Sequence, residues 1–276
     1  MKKILLFAAV VAALVACKKD EPKQVHAVTF HVHGLAVETE PMNGPRKATT
    51  PPLTDEEGNQ MTDLIIWDGT TYLTRQQNTD PNFGTITVML TTGEHHLHFI
   101  ATRSTELVYS DGVLRCESLR QTFGAHYDID VTGGSDENVS LARITGLVEI
   151  KVEDEVPTGA ANLNVHLSDY YKGIDPTTFN AVRSGEFDAN INLAGMVGTS
   201  NNQWTLNILV PEYQIAKDIT YTLTATNTSS DVIGQATGIM ATNSNTKTKL
   251  HGNLFTGTRS FVSLNTSWNA DINAPF

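Results

Sequence analysis

Cysteine, positive charge and long apolar runs are all scarce in this chain, and each shortage excludes something. Its 276 residues hold two cysteines, Cys17 and Cys116, too few for a disulfide framework, so the cores must hold by packing. Nineteen Lys and Arg stand against 30 Asp and Glu, a net charge of −11, which argues against nucleic acid as a partner and against a basic membrane-binding face. After Ala16 no apolar stretch approaches the roughly 20 residues of a spanning helix. Extended segments of 3.6-residue period are missing as well, which excludes a helical bundle. No Gly-x-Ser-x-Gly and no phosphate-cradling glycine loop occurs, and Gly133-Gly134-Ser135-Asp136 lacks the spacing of a calcium loop. What is present suffices for ordinary globular cores: 40% of the residues are hydrophobic, well outside the range of disordered chains.

The amino terminus sets the address. Lys2 and Lys3 precede an unbroken apolar run, Ile4 to Ala16, too short to span a bilayer comfortably and ending in small residues, which makes residues 1–16 a secretory signal peptide. Leu14-Val15-Ala16-Cys17 resembles the lipobox of bacterial lipoproteins. There only a thiol is nucleophilic enough to take the lipid, and the residue before it must be small to enter the peptidase. Cys17 is therefore the expected lipidation site, and its acyl chains, at about 0.8 kcal/mol per buried methylene, hold the protein to outer-membrane lipid. Lys18-Lys19-Asp20-Glu21 resembles the short charged export tag of Bacteroidetes surface lipoproteins. The mature chain then has 260 residues, with 17 basic against 30 acidic side chains, a net charge of −13. With Cys17 acylated no intrachain disulfide is possible, and Cys116 is expected to be a small buried apolar residue.

Residues 17–24, with Pro22, form a tether. Beyond them the pattern has a period of two. Val28, Phe30 and Val32 alternate with Thr29, His31 and His33, a half-buried strand. From Glu40 to Gly58 there are four prolines and almost no large apolar groups, so a long surface loop is expected. Met61 to Trp67 runs into the hairpin signal Asp68-Gly69, and Tyr72-Leu73-Thr74 resumes after it. Ile86, Val88 and Leu90 share a face, a turn at 91–93 reverses the chain, and Leu97 and Phe99 share a face on the return. Val108 to Leu114 breaks at Asp111-Gly112, and Tyr127, Ile129 and Val131 give a further strand. Gly133 to Asn138 is the most punctuated stretch, and a domain boundary is placed near residue 140. The same grammar follows in Val148, Ile150 and Val152, in Leu163, Val165 and Leu167, in Trp204, Leu206, Ile208 and Val210, in Ile219, Tyr221, Leu223 and Ala225, and in Val262, Leu264, Thr266 and Trp268. Strands this frequent, separated by Gly, Asn, Asp and Pro, predict an all-β chain of two tandem antiparallel β-sandwich domains, residues 25–140 and 141–276. Helix is expected only in short pieces, as around Glu117 to Thr122.

Candidate chemistry is thin. His31 and His33, and His96 and His98, are paired at i and i+2 on presumed outer faces, with His95 at a turn, an arrangement that could hold Zn²⁺ only if the two strands were neighbours. A solvated face is the expectation, with no metal, no cofactor and no catalytic residue. The acidic runs Asp55-Glu56-Glu57 and Glu153-Asp154-Glu155 read as solvated edges, and Trp67, Trp204 and Trp268 as core.

Several stretches are similar to the Bacteroidales fimbrillin superfamily. They are the lipobox, Val28 to Val32, Pro45-Arg46-Lys47-Ala48, Leu64-Ile65-Ile66-Trp67-Asp68-Gly69 and Phe83 to Leu90 in the first half. In the second half, Leu141-Ala142-Arg143-Ile144, Val148 to Asp154 with Val156-Pro157, Gly252-Asn253-Leu254-Phe255, Phe261 to Leu264, and Asp271 to Phe276 resemble FimB-type fimbrial anchor or accessory lipoproteins. The resemblance implies transthyretin-like (Ig-like) sandwiches and a surface-exposed outer-membrane lipoprotein of a type V fimbrium. It further implies partners that include other fimbrial subunits, through donor-strand pairing, and host or bacterial surface ligands. It makes Arg46 a candidate for proteolytic processing, although Lys47 departs from the Arg-Ala pairing of shaft subunits. Two alternatives stand beside it: a shaft or tip fimbrillin cut near Arg46, and a glycan-binding surface lipoprotein of a polysaccharide-uptake system.

Overall fold

The computed structural model describes residues 23–33, 53–54, 58–116, 118–210, 212–256 and 261–267, with backbone alone for the last segment and for residues 183 and 184. Cys17 and Arg46 lie outside the described residues, as do Asp55-Glu56-Glu57 and Trp268. The strands up to residue 143 are β1 (Val25–His33), β2 (Asp63–Asp68), β3 (Thr71–Gln77), β4 (Thr85–Thr91), β5 (Gly93–Thr102), β6 (Val108–Ser110), β7 (Val113–Arg115), β8 (Thr122–Val131), β9 (Ser135–Ser140) and β10 (Ala142–Arg143). After them come β11 (Gly146–Val152), β12 (Ala160–Ile174), β13 (Ala181–Asn192), β14 (Asn202–Ile208), β15 (Lys217–Asn227), β16 (Val232–Thr242), β17 (Thr246–Gly252) and β18 (Phe261–Ser267). Among the described residues the one helical piece is a 3₁₀ turn, Ala194–Met196. The helix expected around Glu117 to Thr122 does not form over its described residues, 118–122. Ser118 bridges Thr105, Leu119 turns inward, and the Arg103 amide donates to the Gln121 carbonyl, so the segment spends its backbone groups on a neighbouring strand end.

Two sandwiches result. The first packs the three-stranded sheet β4-β1-β9 over the five-stranded sheet β10-β8-β5-β2-β3, and the second packs β14-β11-β17-β18 over β16-β15-β12, with β13 on the other side of β12. The alternating side chains read from the sequence fill these cores: Val28, Phe30, Val32, Leu97 and Phe99 in the first, Val148, Ile150, Leu163, Leu167 and Leu223 in the second, all fully buried. The sheets are not purely antiparallel. β1 runs parallel to β9, and β11 runs parallel to β17. Parallel pairing needs a long crossover, and here nearly a whole sandwich separates the two partners in sequence.

Other expectations need local correction. The turn at 91–93 makes no hairpin, since β4 and β5 belong to opposite sheets and the chain passes from one layer to the other at Gly93 (φ 122°). Gly133 and Gly134 do turn, but Ser135–Ser140 is a strand. Its polar sequence is tolerated because β1 satisfies its backbone, Val139 is buried, and the inward Glu137 accepts a 2.6 Å hydrogen bond from the Tyr127 hydroxyl. Leu53, within the expected long loop, is 1% exposed and belongs to the first core.

A third core joins the sandwiches. Ile65, Trp67 and Ile100, on the outer face of the five-stranded sheet, meet Ile144, Ile174, Phe179, Ala181 and Leu209. The β6–β7 hairpin, turned at Asp111-Gly112 (φ 53° and 73°), pairs through β7 with the far end of β12, so a segment ahead of residue 140 extends the second sandwich's sheet. Cys116 is buried in this joint, as expected. Gly124 is required there, because a Cβ would lie 2.7 Å from the Phe179 ring.

Candidate strand-exchange site

β1 occupies the centre of the three-stranded sheet. Its backbone pairs with β4 from Val25↔Thr91 to His31↔Thr85 on one side and with β9 from Val28↔Ser135 to His33↔Ser140 on the other. Its inner residues Val28, Phe30 and Val32 are 0% exposed. The Phe30 ring stands edge-on to Phe99 and Tyr127, at centroid distances of 5.2 and 5.9 Å. On the outer face Thr29 hydrogen-bonds Thr87 at 2.9 Å, and His33 Nε2 reaches Asn138 at 3.3 Å. Taken out, this strand would leave two unpaired edges flanking an apolar slot, and an alternating strand from elsewhere could satisfy both.

The histidines do not converge. His31 and His33 lie in the three-stranded sheet and His96 and His98 in the five-stranded one, so the strands that carry them are not neighbours. His98 also departs from the expected solvated face. It is buried at the joint, with Nδ1 2.7 Å from Nδ1 of His126, whose ring stacks on Phe179 at 4.1 Å. Burial lowers the pKa of both, and for His98 the neighbouring His126 adds to the effect, while Asp128 and Asp175 work against it. His95 behaves oppositely. Burial disfavours its charge, but hydrogen bonds to Asp68 (2.5 Å) and to the Thr91 carbonyl (2.7 Å) outweigh that and raise its pKa. The exposed His96 is raised by its hydrogen bond to Asp128.

Signs follow from linkage. The His98–His126 pair stabilises the fold fully above the unfolded value near 6.5, and that contribution is lost as pH falls below it; the His95 contribution is present below 6.5 and lost as pH rises through its raised value. Replacing His126 with phenylalanine, which keeps the stacking on Phe179, is therefore expected to shrink the loss of stability between pH 7 and pH 5. Urea midpoints of both proteins at the two pH values check this.

Two clusters carried little sequence signal. Asp154, read as part of a solvated acidic run, accepts the backbone amides of Leu254 (3.0 Å), Phe255 (2.7 Å) and Thr256 (2.7 Å). His166, Glu186 and Asp188 on β12 and β13 bring their ligand atoms within 4.8 Å of one another, with His166 Nδ1 3.1 Å from Asp188. Only the Glu-x-Asp spacing on one strand could have hinted at this group. Trp67 is fully buried at the joint as core, whereas Trp204 on β14 is half-buried.

No protein-family model and no curated protein matches the chain in sequence. Solved structures do match. A candidate adhesin from Bacteroides thetaiotaomicron VPI-5482 has a TM-score of 0.50 at 8% identity, covering 91% of this chain and 98% of that one. A candidate adhesin from Bacteroides ovatus ATCC 8483 has a TM-score of 0.50 at 9% identity, covering 80% and 84%. The fimbrial anchor protein Mfa2 from Porphyromonas gingivalis has a TM-score of 0.50 at 10% identity, covering 89% and 98%. The chain thus has, along most of its length, the two-sandwich fold of these three proteins.

Proposed function

We propose that this chain is a cell-surface lipoprotein acting as an anchor or accessory subunit of a type V fimbrium, serving pilus assembly and cell adhesion without enzymatic activity. One observation carries the proposal: a leader ending in Leu14-Val15-Ala16-Cys17 precedes a fold shared over 89% of the chain with a fimbrial anchor protein. The mechanism is mechanical. Acylated Cys17 holds the front end in the outer membrane, the two domains divide near residue 140 with β10 and the β6–β7 hairpin crossing between them, and a strand passes between neighbouring subunits. β1 suits such an exchange, since a sheet's central strand offers two rows of hydrogen bonds and an apolar face at once.

Mass spectrometry of the native amino terminus is expected to find a triacylated Cys17, with labelled palmitate incorporated by the natural protein and not by Cys17→Ala. A native start at Lys47 would replace the anchor by a subunit processed after Arg46. An unacylated start elsewhere would remove the lipoprotein assignment.

A further inference from the structure

We infer that the open flank of the second sandwich accepts an extended segment of a neighbouring subunit, which adds to the free edge of β14. This rests on the fimbrial proposal and names a surface separate from β1. Among the described residues β14 pairs with β11 alone and β13 with β12 alone. These two unpaired edges border one cavity of about 380 Å³, lined by Tyr170, Phe187 and Leu206.

The two edges are not equivalent. β13 carries Glu186 and Asp188, and charges on an edge strand deter pairing. β14 reads Asn-Gln-Trp-Thr-Leu-Asn-Ile, with no charge and no proline. Its inner residues Trp204 and Leu206 are only half-buried, although their register partners Ile150 and Val148 on β11 are 0% exposed.

An added strand answers both features. Its amides and carbonyls complete the row that β14 leaves open, and alternate apolar side chains cover Trp204 and Leu206. A row of main-chain donors and acceptors calls for a polypeptide, which sets this flank apart from a site for a sugar or an ion. The rim bears Arg120 and Lys172 together with Glu186 and Asp188, so the incoming segment is expected to carry charges of both signs on its outward side.

The test uses full-length protein displayed on its own cells. A photo-cross-linking side chain at Thr205 is expected to label an alternating segment of another subunit, and the same group at Thr224, on the outer face of β15, is not. Gln203→Lys with Thr205→Lys, at the two exposed positions of β14, should lower recovery of the protein with assembled fibres by at least about tenfold, with thermal stability and surface display unchanged; Thr205→Lys alone serves if the double variant is unstable. Unchanged recovery, or cross-links only within the chain, overturns the β14 site and leaves the fimbrial proposal standing. Absence of the unmodified protein from fibre preparations overturns both.

Discussion

Replacing Phe30 with alanine is expected to cost about 3–5 kcal/mol, the range for emptying a fully buried aromatic site. The side chain is 0% exposed and is among the largest fully buried in the protein. Its edge-on contacts with Phe99 and Tyr127 are lost along with its transfer energy. Collapse around the hole is restricted because β1 is fixed by backbone pairs on both sides. Thr29→Ala, one residue away on the outer face, removes only the 2.9 Å bond to Thr87 and should stay within about 1 kcal/mol. Urea unfolding followed by tyrosine and tryptophan signals separates the two variants. Equal effects would mean that β1 contributes little to the first core.

Asp154→Ala should be the largest polar loss, about 3 kcal/mol, since hydrogen bonds to a charged acceptor contribute roughly 1.5–3 kcal/mol each and are not additive. Three amides and the Thr256 hydroxyl point at this one carboxylate, most of them at Oδ2. Removing it leaves the turn after β17 with donors facing nothing, directly ahead of the strand that closes the sheet. Asp154→Asn keeps one acceptor oxygen and should recover part of the loss. Hydrogen exchange at the amides of 254–256 reads the effect locally. Protection unchanged in Asp154→Ala would show that the clamp is not what orders the turn.

Both sites bear on what could be read from the sequence. Phe30 was legible, because a strand with one face on a core and one in water alternates with a period of two, and the same signal placed β4, β11, β12 and β15. The joint was not. Ile65, Trp67 and Ile100 lie on strands covered on both faces, so Leu64 to Trp67 reads as an unbroken apolar run with no indication of which side meets the other sandwich. β9 was missed because its backbone is satisfied by a strand about a hundred residues earlier, and nothing local in Ser-Asp-Glu-Asn-Val-Ser favours extension. Asp154 was misread for a related reason: its partners lie 100 to 102 residues away, beyond any spacing rule. His98 looked solvated because its strand alternates correctly, while Phe179, which stacks on its partner His126, belongs to the other half of the chain.

The pairing of β1 determines how the molecule bears load. A pull arriving through the residues ahead of Val25 acts along the strand axis, at right angles to the bonds that tie it to β4. Those bonds, and the ones to β9 on the other flank, are sheared together instead of being peeled off singly. Resistance to tension at the amino-terminal end therefore scales with the number of bonds in the two ladders.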